Sequence, residues 1–95
     1  MPAYVIVETD IHDPEQYEHY KAASPGAIAA GGGRFLARGN AAKAYEAGVA
    51  QRVVIIEFDS VERAVAAHDS EAYQAALKVF GKAADRDLRI VEGVA

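Results

Sequence analysis

At 95 residues the chain has room for one domain, spanning residues 1–95, and 52% apolar with 25% charged residues is ordinary globular composition. A formal charge of −4 with no Lys/Arg cluster argues against a nucleic-acid partner and against docking on an acidic membrane. With no cysteine, disulfides, thiolate metal sites and a Cys nucleophile are all excluded.

Met1-Pro2-Ala3-Tyr4-Val5 lacks the basic region and apolar core of a signal peptide, and no apolar run approaches the ~20 residues that span a bilayer. A cytoplasmic protein with no membrane partner is expected. Tyr4-Val5-Ile6-Val7-Glu8 predicts the first strand, being rich in β-branched and aromatic residues. Asp13-Pro14-Glu15-Gln16 predicts a helix start, with Asp13 as cap, Pro14 at the first helical position and Gln16 completing a capping box. Tyr17 and Tyr20 share one side of that helix. Pro25 predicts a kink, or a restart with Ser24 as a new cap, before Gly31-Gly32-Gly33 ends the helix.

Arg34-Phe35-Leu36-Ala37-Arg38 predicts the second strand. Residues 40–50 are open to two readings, a continued strand turning at Gly48 or a helical turn. Arg52 to Phe58 predicts the third strand. Ser60 caps the next helix with Glu62 in its first turn, and Asp69-Ser70-Glu71 is a second capping point. Tyr73, Leu77, Phe80 and Ala84 make an apolar stripe at helical spacing, and Leu88 to Glu92 predicts the last strand. The order is βαββαβ, a ferredoxin-like α+β arrangement in which an antiparallel sheet is backed by two helices.

Alternation along the strands assigns two apolar faces. Val5, Val7, Phe35, Ala37, Val54, Ile56, Phe58, Leu88 and Ile90 should meet the helices, with Tyr17, Tyr20, Ile28, Val65, Leu77 and Phe80 reaching down to them. The opposite face carries Ile6, Leu36, Val53, Ile55 and Val91 among Glu8, Glu57, Arg34, Arg38 and Arg89. Such a patch needs cover, and a second copy of the chain meeting it sheet to sheet supplies it; a homodimer is the expected partner.

Tyr4-Val5-Ile6-Val7, Asp13-Pro14-Glu15-Gln16-Tyr17-Glu18-His19-Tyr20, Gly32 to Gly39 (GGRFLARG) and Val54-Ile55-Ile56-Glu57-Phe58 resemble the bacterial proteins called domain of unknown function 1330. The likeness continues through Asp69-Ser70-Glu71-Ala72-Tyr73-Gln74 and Arg89-Ile90-Val91-Glu92-Gly93. It implies the dimeric α+β barrel fold, shared with small monooxygenases, lactone isomerases and haem-handling proteins. It implies no established activity. The chain departs from the family pattern at Ala66-Ala67-His68, where bulky aromatics followed by Ser-Pro-Glu-Tyr are usual, so a pocket lined there should differ in width and polarity.

His68, beside Asp69 at a helix break, is the candidate catalytic acid/base if it opens into a pocket; otherwise it is a partly buried helix histidine. Tyr17 and Tyr20 are candidate ligand-binding donors or core residues with satisfied hydroxyls. Arg34 and Arg38, placed on one strand face with Leu36 between, either clamp an anion or pair with Glu8 and Glu57 at a dimer seam. Asp69 is a ligand contact or only an N-cap. The three histidines lack metal-site spacing, no cofactor is implied, and Gly31-Gly32-Gly33 follows a helix, unlike a phosphate loop. Two functions follow: a site for a small, anionic organic molecule, enzymatic by analogy with the superfamily, or a non-catalytic dimeric binding or accessory module.

Overall fold

The computed structural model describes residues 1–94. Strand β1 (Ala3–Ile11) leads into helix α1 (Pro14–Ala30), then β2 (Arg34–Asn40), β3 (Arg52–Phe58), α2 (Val61–Asp69), α3 (Glu71–Phe80) and β4 (Ala84–Glu92). The strands form one antiparallel sheet in the order β2-β3-β1-β4, with the helices packed on one face. This is the ferredoxin-like βαββαβ arrangement, its second helical arm broken at Ser70. The barrel that the resemblance implied is not formed. The sheet is open, with β2 and β4 as unjoined edges, because four strands are about half of what closes around a filled interior.

The caps explain where the helices begin. Asp13 accepts from the Gln16 backbone N–H at 3.1 Å, Ser60 from Arg63 at 3.1 Å and Ser70 from Tyr73 at 3.2 Å. Ser70, and not Asp69, therefore caps α3. The box at Asp13 is only half made, since the Gln16 side chain donates to the Val79 carbonyl at 3.2 Å and ties α1 to α3. Helix α1 runs unbroken through Pro25, so the restart at Ser24 is corrected: Ser24 is buried in mid-helix. Pro25 forgoes one backbone bond, while Ala27 and Ile28, buried in the turn beyond it, hold the helix to its course. Gly32 at φ +90° and Gly33, pressed between Ile28 and Phe58, turn the chain into β2.

Val5, Val7, Val54, Ile56 and Phe58 are buried beneath Tyr17, Tyr20, Ile28, Tyr73 and Phe80 as the alternation requires. Two helix assignments change. Val65 is 43% exposed and the small Ala64 and Ala67 face the sheet in its place, letting α2 approach closely. Ala84 belongs to β4, which begins four residues before Leu88, and Ala76 completes the buried stripe of α3 with Tyr73 and Phe80. Between β2 and β3, residues 41–51 are an irregular, mostly exposed connection with a turn at Glu46–Ala47, neither strand nor helix.

One irregularity redirects a side chain. Phe35 pairs with Ile56 but Ala37 with Ile55, so the extra residue makes a bulge at Leu36. Beyond it every side chain of β2 changes face. Ala37 joins Ile55 on the outer face, and Arg38, opposite Val54, turns in towards the helices. The expectation that Arg34 and Arg38 share a face is thus overturned. The outer face keeps Tyr4, Ile6, Leu36, Val53, Ile55 and Val91, with Leu36 56% and Val91 48% exposed. Cα extents of 34 × 33 × 15 Å are those of two layers, so no part of the described chain covers that face.

Candidate functional site: an arginine–tyrosine cavity

Helix α1 leans on α3 more closely than on the sheet. Tyr17, Tyr20, Tyr73 and Phe80 fill the junction edge to face, with Tyr20 and Phe80 centroids 5.0 Å apart. Towards the edge strand β2 this leaves a cavity of about 410 Å³, within the range of small-molecule sites. Val7, Ile28, Phe35, Val54 and Ile56 form its apolar wall. Lys21, Arg38, Arg52 and Arg86 also line it, and no carboxylate and no histidine does among the described residues.

The strand register brings these cations together. Thr9 of β1 faces Arg52 on one side and Arg86 on the other, and Arg38 lies diagonally from Arg52 across the β2–β3 pair. Lys21 is paired with Glu18 at 3.2 Å. Arg38, Arg52 and Arg86 have no carboxylate within ion-pair distance among the described residues. Each instead lies on an aromatic ring: Arg38 4.5 Å from the Phe35 centroid, Arg52 5.8 Å from Tyr17 and Arg86 4.8 Å from Phe80. A ring holds the guanidinium plane and leaves N–H edges free to donate. Arg52 Nε and the hydroxyl of Thr9, which is 2% exposed, are buried without a partner.

Arg86 donates from Nη1 to the Tyr20 hydroxyl and from Nη2 to the Tyr73 hydroxyl, both at 3.0 Å, while the two hydroxyls stand 2.7 Å apart. One phenol proton closes the pair; the other remains available as a donor. Burial, then the neighbouring Tyr73, push Tyr20 up to about 12, so its hydroxyl is neutral at physiological pH. The arrangement offers positive charge and neutral donors against an apolar wall.

Of the residues singled out from sequence, Tyr17, Tyr20 and Arg38 meet at this cavity. Arg34 does not: on the outer face it donates to Glu57 at 3.1 Å and to Asp59 at 3.2 Å. His68 and Asp69 lie outside it too, bonded to each other at 3.1 Å at the end of α2. The His68 ring packs 5.3 Å from Tyr73 and borders a separate apolar gap of about 30 Å³, and with Asp69 it also lines an open cavity of about 400 Å³ against Val65, Leu88 and Ile90. Arg52, Arg86, Tyr73 and Lys21 are among the lining residues not singled out as ligand contacts. The first two carry a readable signal, since Arg52 precedes Val54 by two and Arg86 precedes Leu88 by two, in phase with the helix-facing side.

An open ferredoxin-like sheet with a cationic, tyrosine-lined cavity beneath its first helix defines the class of this protein. The model for the family described as "Domain of unknown function (DUF1330)" matches residues 2–94, and the chain belongs to that family. No curated protein matches it in sequence. Among solved structures it is similar to a protein of unknown function from Rhodopseudomonas palustris, at 19% identity and a TM-score of 0.75, covering 99% of this chain and 83% of that one. A dimeric ferredoxin-like protein of unknown function from Thermobifida fusca matches at 23% identity and a TM-score of 0.69, covering 95% and 89%. SnoaB, a cofactor-independent oxygenase from Streptomyces nogalater, matches at 11% identity and 0.69, covering 99% and 94%. At these identities the likeness is one of fold.

Proposed function

We propose that this protein binds a small organic anion in the arginine–tyrosine cavity, as a homodimer joined through the outer sheet face. One observation carries the first part: in a chain of net charge −4, three arginines without carboxylate partners among the described residues converge on one concave, half-apolar space. Gathering like charges costs free energy that an incoming anion recovers. Among the described residues the cavity walls supply cations and hydroxyl donors but neither carboxylate nor imidazole, which supports the recognition of an anion at this site. The similarity to the Thermobifida fusca protein, itself a dimer of this fold, supports the second part. So does the uncovered apolar face, where Ile6 and Ile55 stand opposite each other while Arg34 and Arg89 are already paired within the chain.

Isothermal titration with small carboxylates tests the site. Saturable binding is expected, and it should be lost when Arg38 and Arg52 are both replaced by Met. Binding that survives the double replacement would refute the assignment. Light scattering tests the assembly, with a monomer mass at micromolar concentration as the refuting result.

A further inference from the structure

We infer that the ligand of this cavity carries two separated acidic groups on one small body; the inference rests on the anion-binding reading above and deepens it. Lys21 is neutralised by Glu18, but Arg38, Arg52 and Arg86 are balanced by no carboxylate among the described residues. Arg86 directs two N–H groups at the hydroxyls of Tyr20 and Tyr73, neither of which is a carboxylate. A single carboxylate would leave two of the three cations uncompensated.

The positions then decide between one doubly charged centre and two single ones. Arg38 and Arg52 are diagonal neighbours, their Cα atoms about 7–8 Å apart. Arg52 and Arg86 lie two strand spacings apart, about 10 Å, on either side of Thr9. Each guanidinium rests on a different ring, Phe35, Tyr17 or Phe80, so they are held apart rather than free to converge on one point. One acid group fits at the mouth, against Arg38. The other fits at the inner end, where Arg52 Nε lacks an acceptor and one hydroxyl of the Tyr20–Tyr73 pair has a proton to give. The apolar wall of Ile28, Phe35, Val54 and Ile56 receives the carbon body between them.

The test is calorimetric titration of the wild-type protein, at neutral pH and low salt, with malonate, succinate, glutarate and adipate, each against its own monomethyl ester, and with inorganic phosphate. The best diacid should bind about tenfold to a hundredfold more tightly than its monoester, the value of one charge-assisted contact. Arg38→Met should bring the diacid down to the level of the monoester and leave the monoester unchanged. Equal affinity of diacid and monoester would overturn the two-group inference while leaving anion binding intact. Phosphate binding more tightly than every diacid would overturn the separation of the two groups. If neither diacid, monoester nor phosphate binds, the underlying anion-binding reading falls with it.

Discussion

Replacing Arg52 by Met should make the ligand-free protein more stable and its ligand binding worse, two effects of opposite sign from one side chain. Arg52 Nε is buried without an acceptor, which costs about 1–3 kcal/mol. Its charge faces Arg38 diagonally and Arg86 across Thr9. At about 8–10 Å and an effective dielectric between about 20 and 80, each repulsion is worth about 0.5–2 kcal/mol. Salt and the water in the cavity pull these towards the lower end. Against the gain stands the lost contact of the guanidinium with Tyr17, about 0.5–1 kcal/mol, while Met keeps the apolar stem in place. With every gain at its lower end and the loss at its upper end, the balance is still a net stabilisation of about 1 kcal/mol, or a rise in Tm of about 4–8 °C for a domain of this size. Differential scanning calorimetry at fixed protein concentration, with and without the best-binding diacid, reads both effects, since the ligand-induced rise in Tm should shrink in the variant. A lower Tm for the ligand-free variant would refute the view that this cavity holds uncompensated charge.

Ile55→Glu places a charge in the middle of the uncovered face, opposite Ile6, and should halve the mass seen by light scattering while leaving the circular-dichroism spectrum unchanged; an unaltered dimer mass would show that association uses another surface. Tyr20, held at about 12 when folded against 10.0 unperturbed, contributes stability that is present below about pH 10 and lost as pH rises towards 12. Absorbance titration should accordingly show one late-ionising tyrosine that disappears in Tyr20→Phe, and a wild-type curve without a late phase would contradict the burial of this hydroxyl. His68→Ala should leave diacid affinity unchanged because the ring lies behind Tyr73 and outside the cavity; lost binding with an unchanged melting temperature would restore His68 as a ligand or catalytic contact. Gly33→Ala would set a Cβ 2.6 Å from Ile28 Cγ2 and 2.7 Å from Phe58 Cζ, so a loss of about 1–3 kcal/mol in urea denaturation is expected, and an unchanged midpoint would argue against this close packing.

Local chemistry was readable wherever a residue acts on its own neighbours. Asp13, Ser60 and Ser70 start helices because a short oxygen-bearing side chain meets a free backbone N–H three residues on. Val5 with Val7, and Val54 with Ile56 and Phe58, show their buried face by alternation alone. Pro25 was misleading for the complementary reason: its local cost is real, but the burial of Ala27 and Ile28 in the next turn outweighs it.

The candidate site was legible only in part. Tyr17 and Tyr20 announce themselves as a pair on one helix side, yet their partner Tyr73 is 53 residues from Tyr20 and reads as core. Arg38 was assigned to the wrong face because a bulge is a property of two strands, visible only once Phe35 and Ala37 are set against Ile56 and Ile55. Arg34 followed the opposite course, its outward phase lying before the bulge and its pairing with Glu57 following from simple register.

By itself the amino-acid order determined the element sequence, most helix starts and the existence of two apolar sheet faces, since each depends on periodicity and short-range contacts. Only the tertiary structure decided that Arg38, Arg52 and Arg86 stand around one cavity, that Arg34 does not, and that the sheet stays open. These follow from strand order and register, which join residues far apart in the chain and shift a whole row of side chains when one residue is added.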